Sequence, residues 1–192
     1  MTTFRKILLT LTVVGVVGAV AGTGAYSAFS KTTSNDNNTI PAGNVTIGDN
    51  DSNAAAYSLA TAKPGDSAQK CIKVTFTGNL PSTVKLYRSA FVGSTNLEQH
   101  VDLTITKGTG SATDCSDFVA GTSVYATAAL SSFSATSFAN GITLTNQTGS
   151  STWSANDAVT YRITGALQGT APSTDQGLTT GTHSFTWEAQ NN

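Results

Sequence analysis

Glu98, His100 and Asp102 recur at every second position, so a strand through them would present two carboxylates and an imidazole on one face. Three such donors suit zinc, and His183, the only other histidine, is the natural fourth ligand. A solvated strand face gives the same pattern with no metal. A zinc peptidase of the usual kind needs two histidines one helical turn apart and a general-base glutamate, as in His-Glu-x-x-His. His100 and His183 do not have that spacing. Asp49-x-Asp51-x-Asn53 resembles the opening of a calcium loop, but Ala54 and Ala60 stand where such a loop needs its glycine and its bidentate glutamate. An Asx-rich turn is the plainer reading. Serine is plentiful, yet no Gly-x-Ser-x-Gly elbow occurs. These residues call for no cofactor and no catalytic group; zinc and calcium are the only ions they suggest.

The start of the chain decides how Cys71 and Cys115, the two cysteines, are read. Arg5 and Lys6 precede an uncharged stretch that runs to Lys31. It begins Ile7-Leu8-Leu9 and ends in small residues, including Ala19-Val20-Ala21 and Ala25-Tyr26-Ser27. A basic head, an apolar middle and small residues before a polar chain make a secretory signal. A retained membrane helix is the alternative, and membrane contact is expected only through an uncleaved leader. Outside the cell two cysteines pair by default, and closing a loop of about 45 residues would stabilise the fold by roughly 4 kcal/mol. Two buried free thiols are the alternative, because spacing alone does not bring them together.

Behind the leader stands enough chain for one domain with a sizeable core. Charged residues make up 11% and the net charge is -1. With no basic patch to neutralise phosphates, nucleic acid is excluded as a partner. Abundant threonine suits pleated surfaces better than helices.

Period-two alternation recurs between turn residues. Val45 and Ile47 alternate with Asn44 and Thr46, and Ala54–Leu59 is a second short run. Ile72, Val74 and Phe76 share one face of Gln69–Thr77, and Val84 and Leu86 share one face of Thr83–Val92. Gln99, Val101, Leu103 and Ile105 face one way, with Glu98, His100 and Asp102 opposite. Ser123–Leu130 reads as a strand, while Ala126–Ala139 reads equally as a short helix bearing Leu130, Phe133 and Phe138. Ile142–Thr145, the run through Val159, Tyr161 and Ile163, and Ser184–Ala189 complete eight or nine strands (about) with no long amphipathic helix. The predicted fold is all-β, an antiparallel jelly-roll β-sandwich behind an N-terminal signal helix.

The run Gly22-Thr23-Gly24-Ala25-Tyr26-Ser27-Ala28-Phe29-Ser30, followed by Asn35-Asp36-Asn37-Asn38 and Ile40-Pro41-Ala42-Gly43, resembles the leader and mature start of the TasA/camelysin family. Pro64-Gly65-Asp66, Gly78-Asn79-Leu80-Pro81 and the ending Phe185-Thr186-Trp187-Glu188-Ala189 are similar to that family's turns and tail. Lys31 departs from its usual aspartate. The resemblance implies release by a SipW-type signal peptidase between Ser27 and Ala28, a jelly roll, and self-association into biofilm-matrix fibres. It divides the chain into a signal peptide (1–27), an extended polar segment that could donate a strand (28–43) and one sandwich domain (44–192). It also carries a metalloendopeptidase label, for which His100 with Glu98 or Asp102 is the candidate centre. A monomeric adhesin is the remaining alternative, with Trp153 and Trp187 as handles.

Overall fold

The structure, a computed structural model, describes residues 3–5, 7, 11, 12, 42–58, 61–92 and 96–191. The chain divides into two units, Met1–Pro41 and Ala42–Asn192. In the first, the described residues are helical, and among described residues no helix is long and apolar enough to cross a membrane. The expected cleavage site at Ser27 and Ala28, and residues 28–41 of the expected donor segment, lie outside the described residues.

Among the described residues the second unit contains nine strands: β1 (Ile47–Asp49), β2 (Ser67–Phe76), β3 (Ser82–Val92), β4 (Val101–Thr109), β5 (Val119–Ala129), β6 (Ile142–Thr143), β7 (Thr152–Trp153), β8 (Ala158–Leu167) and β9 (Thr182–Asn191). Every pairing is antiparallel. One sheet has the order β1-β2-β8-β4-β5. In the other, β9 lies along one side of β3, and the short β6 and β7 share its opposite side.

The alternation predicted for the long strands is what joins the two sheets. Ile72, Val74 and Phe76 of β2, Leu103 and Ile105 of β4, and Tyr161 and Ile163 of β8 are fully buried. They meet Val84 and Leu86 of β3 and Trp153 of β7 in one core. Successive side chains point to opposite faces, so each long strand contributes every second residue to that core. Truncating Phe76 to alanine there would cost about 3–5 kcal/mol.

Two segments depart from the sequence reading, and a third, which the sequence leaves open between strand and helix, is in part strand. Residues 54–58 are loop, not strand. The chain turns just before them, where Asp51 Oδ1 accepts the Asn53 N–H at 2.9 Å and Ser52 and Asn53 adopt positive φ. Gln99 does not extend β4 but ends a short 3-10 turn, Asn96–Gln99. The segment 126–139 is strand as far as Ala129, then a single 3-10 turn, Leu130–Ser132. Leu130 and Phe133 are buried as core anchors, and the Asn140 side chain closes the following loop by accepting the N–H groups of Thr136 and Ser137.

Candidate functional site

A polar cluster that includes an ion pair faces the interior. Arg88 of β3 donates from its guanidinium to Glu98 Oε1 at 3.1 Å, and both side chains are almost fully buried. Tyr57, from the loop between β1 and β2, meets Nε2 of His183 on β9 at 2.7 Å. Gly165 makes room for it, since a Cβ there would come within 3.0–3.2 Å of the Tyr57 ring. Burial, with a further push from Glu98 and against the pull of Arg88, raises the Tyr57 phenol well above its ordinary range. Burial and then Arg88 lower the pKa of His183. A neutral phenol and a neutral imidazole therefore share the hydrogen bond, and the guanidinium is matched by its carboxylate. The cluster joins loop to strands and presents no activated nucleophile.

The predicted metal ligands are not brought together. Glu98 sits in the 3-10 turn with its carboxylate on Arg88. His100 is half-buried in the bend after that turn, with Nε2 3.6 Å from Asp175 Oδ2. Asp102 lies on β4, where Oδ1 accepts a 2.7 Å bond from Gln168. The shared strand face fails because β4 begins only at Val101. His183 is committed to Tyr57. Among the described residues no three His, Cys, Asp or Glu side chains form a metal-binding group, so these residues do not fit a zinc centre. The would-be calcium ligands Asp49 and Asp51 instead accept backbone N–H groups two residues on. Trp153 is fully buried, its indole N–H on the Leu144 carbonyl, and Trp187 packs against the core from β9. Neither serves as an exposed adhesive handle.

Cys71 and Cys115 are bonded, with Cα atoms 5.1 Å apart. The bridge fixes the connection between β4 and β5 to β2. That connection is also shaped from within, because Asp117 accepts the N–H groups of Ser111 and Ala112 through its two carboxylate oxygens. Those backbone donors hold the Asp117 pKa below its ordinary value.

Among the described residues two long strands have an unpaired side, β9, which pairs only with β3 and carries Glu188, and the uncharged β5. β5 pairs with β4 on one side, and among the described residues no strand meets its other side. Its eleven residues, Val119–Ala129, contain no charged side chain and no proline. Most are exposed, Val119 to 67%. Natural sheets block such edges with lysine, proline, bulges or a covering loop. Here, among the described residues, β5 carries bulges in its pairing with β4 but no lysine or proline. No protein-family model matches the chain, and no characterised protein matches it in sequence. The uncharged run from Phe118 to Leu130 was visible in the sequence. Its place at a sheet edge was not, because edge position depends on strand order.

Proposed function

We propose that the chain is a secreted structural subunit of the TasA/camelysin type, which assembles into fibres of the extracellular matrix by adding a strand to a neighbour's sheet. The observation that carries this reading is the open, uncharged, eleven-residue edge of β5. Unpaired backbone groups along an edge are a template for another chain's strand. The donor is the polar segment Ala28–Gly43 that follows the leader, and donation from one copy to the next is a heterologous contact that propagates into a filament. The disulfide suits an exported protein. The jelly-roll reading is supported by the way β2, β3 and β4 alternate between the two sheets, as do β8 and β9. Electron microscopy of a protein starting at Ala28, beside one starting at Asn44, tests the reading. Fibres are expected from the longer protein only; fibres from both, or from neither, would count against strand donation.

A further inference from the structure

We propose that the loop Gly110–Asp117, clasped by the Cys71–Cys115 disulfide, is an edge guard. It occupies the outer edge of β2, which would otherwise accept a strand from a second copy of this chain.

β1 covers β2 only along Val74–Phe76. Beyond that the strand continues, and its next two outward N–H groups meet acceptors that belong to no strand. The Lys73 N–H donates to Asn50 Oδ1 at 2.8 Å. Two residues back, the Cys71 N–H donates to the Thr113 carbonyl at 3.0 Å. Asn50 also donates from Nδ2 to the Ser111 carbonyl at 2.8 Å, so the two covers are linked to each other. The loop arrives already shaped by Asp117 and is held down along its path by the Thr160 hydroxyl, which donates to the Gly110 carbonyl. Gly110 is required there. It has φ of 127°, and a Cβ would lie 2.8 Å from Asp117 Oδ1.

This arrangement does more than shorten the unfolded chain. A disulfide needed only for chain entropy has no reason to seat a loop carbonyl on the strand's N–H. Two successive outward donors of β2, at Lys73 and Cys71, are satisfied by non-strand acceptors, and that blocks further pairing along this stretch. Without the guard, the five-stranded sheet would have two receptive edges, the part of β2 that β1 leaves uncovered and eleven-residue β5. The bare β2 of one copy would then take the uncharged β5 of another, a head-to-tail contact that repeats. The inference rests on the edge-addition reading above only in taking β5 as an open edge, which here meets the bare β2.

The test compares the exported protein with Cys71→Ser/Cys115→Ser and with Asn50→Ala, which keeps the disulfide. Amide exchange is followed at Lys73 and at position 71. Mass is followed by light scattering, below the concentration at which the natural sequence assembles. Lys73 is expected to exchange roughly tenfold faster in Asn50→Ala, the loss of about one hydrogen bond. The double variant is expected to associate where the natural sequence stays monomeric, and adding Thr122→Lys on β5 should reverse that association. A folded double variant that stays monomeric overturns the proposal, as does association that Thr122→Lys leaves unchanged. If the double variant does not fold, Asn50→Ala decides, and unchanged exchange at Lys73 overturns the guard. Failure of the natural sequence to form fibres would instead defeat the fibre reading, because the guard is judged from the difference between variants.

Discussion

Tyr57 Oη lies 2.7 Å from His183 Nε2 across a sequence separation of 126 residues. The bond fastens the loop before β2 to the last strand, and so links the two sheets at one end of the core. It is surrounded by three features that are remote in sequence: a glycine at 165 beneath the ring, Phe185 beside it, and Arg88, which acts on both groups, with Glu98 acting on Tyr57.

Two substitutions separate the hydrogen bond from the packing. Tyr57→Phe keeps the ring and removes the bond, for an expected loss of about 1 kcal/mol. Gly165→Ala keeps the bond's partners but puts a methyl group 3.0 Å from the ring, for an expected loss of about 1–3 kcal/mol. Urea unfolding of both measures this. A larger loss from Tyr57→Phe than from Gly165→Ala would show that the close packing over Gly165 is not what holds the loop.

Stability should fall in acid and in alkali, each for a stated reason. His183 has a lower pKa folded than its ordinary 6.5, owing to burial and Arg88. As pH falls through 6.5 the unfolded chain gains a proton and the folded chain does not, so stability declines from there down to the folded value. Asp157 adds a second acid step. Burial opposes its ionisation, but donors from Ser154, Asn146 and Gln147 outweigh that and lower its pKa from 3.8. Its contribution is complete above 3.8 and is lost as pH falls through the depressed value. Burial raises Tyr57 and Tyr161 above 10.0, so stability also falls as pH rises past 10.0 and the unfolded chain ionises first. Urea midpoints against pH check this, and His183→Gln should remove only the step that begins at 6.5.

The Arg88–Glu98 pair is buried on both sides, so removing Glu98 takes away the carboxylate that faces a buried guanidinium. Glu98→Ala is expected to cost about 3–5 kcal/mol. Replacing both residues with apolar ones of similar volume should cost far less. Equal losses in the single and double variants, measured by denaturant unfolding, would mean that the charge is not what makes Glu98 important.

The long strands were legible because burial on one face writes itself as alternation. Ile72, Val74 and Phe76, or Tyr161 and Ile163, need no knowledge of their partners to be placed inside. The same rule misled at Glu98, His100 and Asp102. Alternation continued through Gln99 in the sequence, while the backbone turns at Asn96–Gln99 and a distant arginine captures the glutamate. Nothing local to Tyr57 signals its role either, since its bond is to a residue near the other end of the chain. The disulfide could be expected from compartment and count, but its position over the edge of β2 follows from sheet order. Long-range pairing decides these features, and a single sequence carries it only weakly.

The openness of β5 leads to the last prediction. Thr122 is exposed on an edge strand that carries no charge, so Thr122→Lys adds a solvated ammonium without touching the core. Stability should change by no more than about 0.5 kcal/mol, as for a surface substitution. Lysine on an edge disfavours docking of another strand, because pairing would draw its charge out of water. In a protein starting at Ala28, fibre formation should therefore be abolished or slowed while the monomer's unfolding curve is retained. The same lysine placed at exposed Thr179, in the connection before β9, serves as the control for added charge. If both variants form fibres like the natural sequence, β5 is not the receiving edge. If both fail alike, net charge controls assembly, and strand addition at β5 loses its support.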